Sequence, residues 1–329
     1  MSNDRVNGFE HGPDDEPAPE SHQPTGEPVM PKGPIGSELN SEPEAEDSLE
    51  PEDFGLLRGV PDEDDDLAAE PEQLRVRRDD PSGTIMLDRP DCRNALSRQL
   101  IREIGTALED LRQVRAVRAV IMTGRGSAFC AGTDLRELES QIGDDDCRHL
   151  WFEDTERLRH LVVQMLRYPK PIIAAVNGPV CGAGLALVLA ADIVVAGASA
   201  TFSLPEPRRG LVATQTAPLL QFRIGAGQAA YLLMSSRAIE ADVALRMGLA
   251  HEVVADDLVW ARAQQLAGEC AAGSREALIL SKRILNETIG ETLETFHAVA
   301  AAYAATARTT ETAKDGVRAF LDKRPHDWP

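Results

Sequence analysis

Apolar and polar positions change their spacing several times along the chain, and each change predicts an element. Thr84-Ile85-Met86-Leu87 is a β-prone run that stops at Asp88-Arg89-Pro90. Ser97 stands where a helix cap would, and Leu100, Ile101, Ile104, Leu108 and Leu111 follow at helical spacing. Ala119-Val120-Ile121-Met122 predicts a strand closed by the turn Thr123-Gly124-Arg125-Gly126. A helix is expected near Asp134 and a longer one over 155–167, ended by Pro169-Lys170-Pro171. Residues 172–176, 193–196 and 201–203 read as further strands, and from Gln228 onward the pattern is almost wholly helical. Strands alternating with helices, then a helical tail, predict an α/β domain with a helical C-terminal part.

One stretch imitates a membrane span. Pro171 to Ala191 carries no charge and is long enough to cross a bilayer. It also holds two prolines, Asn177 and three glycines, so it divides into a strand, a turn and a buried helix. No membrane association is expected.

Charge divides the chain at about residue 72. The first 72 residues hold 22 acids against three bases and 11 of the 21 prolines, with Phe9 and Phe54 as their aromatics. Such a segment buries too little apolar surface to offset its chain entropy and reads as a disordered acidic leader. It lacks the basic character of a transit peptide and the apolar core of a secretory signal. Its charge disfavours nucleic acid as a partner. The remaining residues are nearly neutral and suit a core over 73–265 with a helical region over 266–329. The five cysteines, Cys92, Cys130, Cys147, Cys181 and Cys270, form no C-x-x-C pair and read as small hydrophobes in a reducing cytoplasm. Arg112, Arg115 and Arg118 would form a basic stripe if their helix runs that far, but no aromatics interleave.

The candidate chemistry lies in two turns of small residues, each directly after a strand: Ser127-Ala128-Phe129-Cys130-Ala131-Gly132-Thr133-Asp134-Leu135, and Asn177 to Gly184. Both lead the backbone tightly into a helix and leave early amide N–H groups free, a setting that favours an anion. Two such donors converging on one oxygen make an oxyanion hole. Either turn alone is no more than a way of folding the chain; neither has dinucleotide or triphosphate-loop spacing.

Together and in this order, the turns resemble the crotonase family of enoyl-CoA hydratases and isomerases. The resemblance runs from Gly83 to Trp328. It rests on Leu87-Asp88-Arg89-Pro90 with Arg93-Asn94-Ala95-Leu96, Phe129 to Leu135, Pro171 to Gly178, Phe202-Ser203-Leu204-Pro205-Glu206 leading into Gly210-Leu211, and Phe320 to Pro325. It implies a spiral of ββα units with a helical C-terminal trimerisation region, an acyl-CoA thioester as substrate and no separate cofactor. The amides of Thr133 and Ala183 would hold the thioester oxygen. Arg93, Ala95, Leu96, Ala131, Asp134, Leu135 and Gly182 would line the CoA site. Phe320 and Lys323 would reach it from a neighbouring subunit, which implies a trimer or a dimer of trimers.

The resemblance also exposes a departure. Family hydratases use two glutamates, and the corresponding positions here are Ala186 and Glu206. A methyl group carries no proton, so Glu206 is left as the single acid/base. That suits an isomerase shuttling a proton between carbons, or a hydratase working with one carboxylate. Arg208 and Arg209 stand beside it; an inward cation would lower its pKa or hold a carboxylate on a methylglutaconyl-type substrate. A hydratase is the leading expectation, an isomerase the close alternative, and a CoA-ester-binding protein of low activity the reading from another class.

Overall fold

The computed structural model describes residues 72–139 and 148–326, without the side chains of 148, 287–291 and 294. The acidic leader up to residue 71, Cys147 and Trp328 lie outside the described residues.

The first strand, β1 (Leu74–Asp79), forms an antiparallel hairpin with β2 (Ser82–Leu87). Strands β3 (Ala119–Gly124) and β4 (Ile172–Val176) follow in parallel. A two-residue strand, β5 (Val180–Cys181), belongs to a second sheet. The main sheet continues through β6 (Ile193–Gly197), and β7 (Thr201–Ser203) pairs parallel with β5. Strand β8 (Ile239–Glu240) closes the small sheet, and β9 (Glu252–Val254) closes the large one. The orders are β1-β2-β3-β4-β6-β9 and β5-β7-β8.

The helices are α1 (Arg98–Gln113), α2 (Leu135–Glu139), α3 (Arg148–Arg167), α4 (Ala183–Ala190), α5 (Thr216–Ser235), α6 (Ala241–Arg246), α7 (Val259–Ala271), α8 (Arg275–Arg308) and α9 (Glu311–Leu321). Ser97 caps α1, its hydroxyl accepting from Leu100 N at 3.0 Å, and Leu100, Ile104, Leu108 and Leu111 are buried as their spacing predicts.

Both faces of the central strands β3, β4 and β6 are covered, so these read as unbroken apolar runs. Val120, Met122, Ala174 and Val176 belong to the core shared with α1, α3 and α4. Ile121, Ile173, Ala175 and Val195 pack instead against Val259, Ala263 and Leu266 of α7. The stretch from Pro171 to Ala191 resolves into β4, β5 and α4, and no helix among the described residues is long and apolar enough to cross a membrane.

Several expectations change. Strand β1 carries the sequence LRVRRD and is largely exposed; charges suit a sheet edge and hide the strand from a periodicity reading. Two strands, β8 and β9, interrupt the C-terminal half, which the pattern predicted as helical; two or three residues are too few to show a period. The boundary expected after residue 265 falls inside α7. The arginine stripe does not form. Helix α1 ends at Gln113, Arg112 pairs with Glu109, and Arg118 donates to the Gly273 carbonyl at 2.7 Å.

Candidate active site

The two glycine turns are held together by backbone. Ala131 N donates to Arg93 O at 2.9 Å, Leu96 N to Gly132 O at 2.8 Å, and Asp134 N to Leu96 O at 3.0 Å. The amides of Ala131 and Asp134 are therefore used, while Thr133 N–H donates to no backbone carbonyl among the described residues. Cys181 N donates to Cys130 O at 2.9 Å and Gly182 N to Ser203 O at 3.0 Å, while Ala183 N–H, at the start of α4, donates to no backbone carbonyl among the described residues. The turns touch: a β-carbon added to Gly132, whose φ is +86°, would lie 2.7 Å from Cys181 O and 3.3 Å from Ala183 N. A side chain there would collide with the second turn, so the close approach needs glycine.

Asn94 locks the first turn from below. Fully buried and left-handed at φ 56°, it accepts from Arg89 N at 2.9 Å. It also donates to Arg125 O at 3.0 Å and Ala128 O at 2.9 Å. Asparagine tolerates this conformation better than most residues. The neighbouring Asp134 is salt-bridged to Arg89 at 3.0 Å.

Two cavities meet at these turns. An open cleft of about 570 Å³ is lined by Arg93, Ala95, Ala131, Thr133, Asp134, Leu135, Gly182, Ala183, Glu206, Phe320 and Lys323. A smaller chamber of about 80 Å³ is lined by Leu96, Thr133, Asp134, Ala183 and Glu206, and reaches Arg98, Asp154, Gln215 and Arg308. Every residue expected at the site thus lies on one of the two cavities, Leu96 on the chamber. Phe320 and Lys323 of this chain line the cleft. The cause is backbone packing. The turn at Gly210 and helix α9 come so close that a β-carbon on Gly210 would meet Ala313 N at 2.5 Å, and one on Gly316 would meet Arg209 O at 2.6 Å.

Glu206 sits where the cavities join, in a single 3-10 turn over Glu206–Arg209. Its carboxyl packs against Gly182, where an added β-carbon would lie 2.6 Å from Oε1, and its Oε2 is sealed from solvent with no hydrogen-bond partner among the described residues. Burial pushes its pKa up to about 7, and a hydrogen bond from its own backbone N–H and the charge of Arg209 offset only part of that rise. Arg209 does act in the lowering direction, as a cation beside the carboxyl would, but its effect is the smaller one. Desolvation outweighs it because the Arg209 guanidinium is directed onto the Phe320 ring, 4.0 Å from its centroid. Arg208 is exposed and donates to Ser235 O at 3.2 Å. Neither arginine lines the chamber.

Ala186 is wholly buried in the core and lines neither cavity. Of the other acids and histidines on α3, Asp154 alone reaches the chamber. Its oxygens are taken by Arg98, at 2.6 and 2.8 Å, and by Arg157 at 2.9 Å. Glu156 is paired with Arg159 at 2.7 Å, and His160 is exposed. A carboxyl with a pKa near 7 beside the amides of Thr133 and Ala183 can move a proton while the amides hold a developing negative charge.

The sequence profile of the enoyl-CoA hydratase/isomerase family matches residues 82–329. The chain belongs to that family. Among its relatives, a Thermus thermophilus protein provisionally named an enoyl-CoA hydratase is 36% identical over 244 residues, 73% of this chain and 94% of the relative. The 2,3-dehydroadipyl-CoA hydratase of Escherichia coli is 32% identical over 78% of this chain and 98% of its own length. The crystal structure of an enoyl-CoA hydratase from Mycobacterium avium superposes with a TM-score of 0.71 at 27% identity, covering 79% of this chain and all of that one. The mixed α/β architecture is thus that of the crotonase superfamily, as the motifs implied.

Sequence reasoning missed the chamber's far end. Arg98, Gln215 and Arg308 come from three separated elements. A trace was present for one of them: Arg308 ends a run without a charged residue from Thr295 to Ala307.

Proposed function

We propose that the chain hydrates a trans-2-enoyl-CoA with Glu206 as its single acid/base. The thioester oxygen would lie between the amides of Thr133 and Ala183, with the CoA body in the 570 Å³ cleft and the acyl group in the chamber. As water adds to the β-carbon, negative charge moves onto the thioester oxygen and the two amides stabilise it. Glu206 takes the proton from the attacking water and returns it to the α-carbon, so the water is split across the double bond and the enzyme ends unchanged. The observation that carries this reading is the carboxyl of Glu206, whose Oε2 is sealed and without a partner among the described residues and whose pKa lies near 7, ready to act in either direction at neutral pH.

The exposed Lys323 and the Phe320–Arg209 stack suit the phosphates and adenine of CoA. Assembly as a trimer or a dimer of trimers is part of the proposal, supported by exposed Met234, Ile284, Leu285 and Tyr303. A methylglutaconyl-type acyl group held by Arg208 or Arg209 loses support, since Arg208 lines neither cavity and Arg209 lines the cleft but not the chamber, its guanidinium stacked on Phe320.

A second reading, isomerisation between 2- and 3-enoyl thioesters, is favoured by one observation: Ala186 is buried away from the cavities, and a proton shuttle needs only one base. Turnover of a short trans-2-enoyl-CoA and its 3-enoyl isomer, by wild type and Glu206→Gln, separates the cases. Hydration lost in the variant supports the hydratase; isomerisation without hydration supports the second reading. Binding without either reaction supports a CoA-ester-binding protein.

A further inference from the structure

The chamber that would receive the acyl group is polar at its far end, unlike a pocket for a plain hydrocarbon chain. Arg308, the last residue of α8, faces it from a largely desolvated position. Among the described residues its guanidinium makes one hydrogen bond, from Nη1 to the Trp151 carbonyl at 3.2 Å, out of five possible N–H donors. Of the acids there, Asp154 is occupied by Arg98 and Arg157, and Glu137 accepts from Arg98 N at 3.1 Å. Gln215 is 1% exposed, lines the same chamber, and has neither its amide oxygen nor its amide nitrogen hydrogen-bonded. Buried donors of this kind are costly unless a partner meets them. Methyl-terminated chains offer none.

We propose that the chamber selects thioesters whose acyl group ends in a carboxylate, received by the Arg308 guanidinium and the Gln215 amide. This rests on the reading of the site as one for acyl-CoA thioesters. A guanidinium matches a carboxylate with two parallel N–H bonds, and the volume of about 80 Å³ limits the group to a short chain. The competing role for Arg308 is purely structural: a cation closing the C-terminus of α8 and bracing Trp151.

The test uses saturated thioesters, which bind without reacting. Calorimetric titration of the full chain with glutaryl-CoA and with pentanoyl-CoA compares equal chain lengths with and without the terminal carboxylate. The expected result is a preference for glutaryl-CoA of roughly 10- to 100-fold, the range of a charge-assisted hydrogen bond. Wild-type protein that binds pentanoyl-CoA as tightly or more tightly overturns the proposal, whatever the variants do. Arg308→Met, checked by circular dichroism for retained fold, is expected to abolish the preference, while Arg308→Lys keeps part of it; a folded Arg308→Met that keeps the full ratio also overturns it. Glu206→Gln should preserve the preference. If that preference appears but no enoyl thioester is turned over, the hydratase reading fails while the carboxylate site stands.

Discussion

The carboxyl of Glu206 lies so close to Gly182 that a β-carbon on that glycine would sit 2.6 Å from Oε1 and 3.2 Å from the carboxyl carbon. Gly182 also has φ 51° and ψ −123°, a conformation side chains oppose. Gly182→Ala is therefore expected to displace the base and lower kcat by about 100-fold or more, with a smaller effect on CoA-ester affinity. Steady-state kinetics and direct binding on the same preparation check this. Unchanged kcat would place the working base elsewhere.

The raised pKa of Glu206 sets a pH profile. Its ionised form accepts the proton, so kcat/KM should climb as pH rises through about 7 and level off above it. Arg209→Met removes the cation that partly offsets burial, and the climb should shift to higher pH. Rate profiles of both proteins from pH 5.5 to 9 give the answer; a shift downward would contradict the arrangement.

The same carboxyl opposes folding at neutral pH. Its folded pKa lies above its ordinary value of 4.5, so burial is tolerated below that value and becomes costly as pH rises through about 7. Glu206→Gln should thus stabilise the fold by up to about 3 kcal/mol at pH 8 and by little at pH 4. Thermal melts at the two values make the comparison, and equal gains at both would refute it.

Asn94 joins three backbone groups from inside the protein. Replacing it with alanine leaves buried polar atoms unmet, and a loss of roughly 2–4 kcal/mol is expected, together with a raised KM from a loosened cleft. Urea unfolding and kinetics measure the two effects separately. If stability falls while KM holds, the turn does not shape the cleft.

The parts of this molecule legible in its sequence are those where one local signal decides the outcome. Ser97 announces α1, the strands Ile172–Val176 and Thr201–Ser203 are bounded by turn residues, and the two glycine turns carry their own constraint in Gly132 and Gly182. The outcome at Glu206 was not legible, because two opposing effects act there. The adjacent arginines would lower its pKa if either turned inward, and only the packing shows that burial prevails while Arg209 faces Phe320. Arg308 and Gln215 were hidden for another reason. They meet in one chamber from elements 93 positions apart, and spacing along a chain carries no record of that. Strand β1 escaped because an exposed edge strand full of arginine has no apolar alternation to betray it.

The close backbone contact between Gly210 and α9 has a consequence for synthesis. As the chain leaves the ribosome, both glycine turns and the carboxylate emerge more than 100 residues before the helix that packs behind the 3-10 turn of Glu206. A nascent chain can therefore hold its amide donors in place while its base still lacks a rigid support. On the proposed reading, catalytic competence arrives with α9, so a polypeptide interrupted before it is expected to be an inert scaffold and not a partly active enzyme.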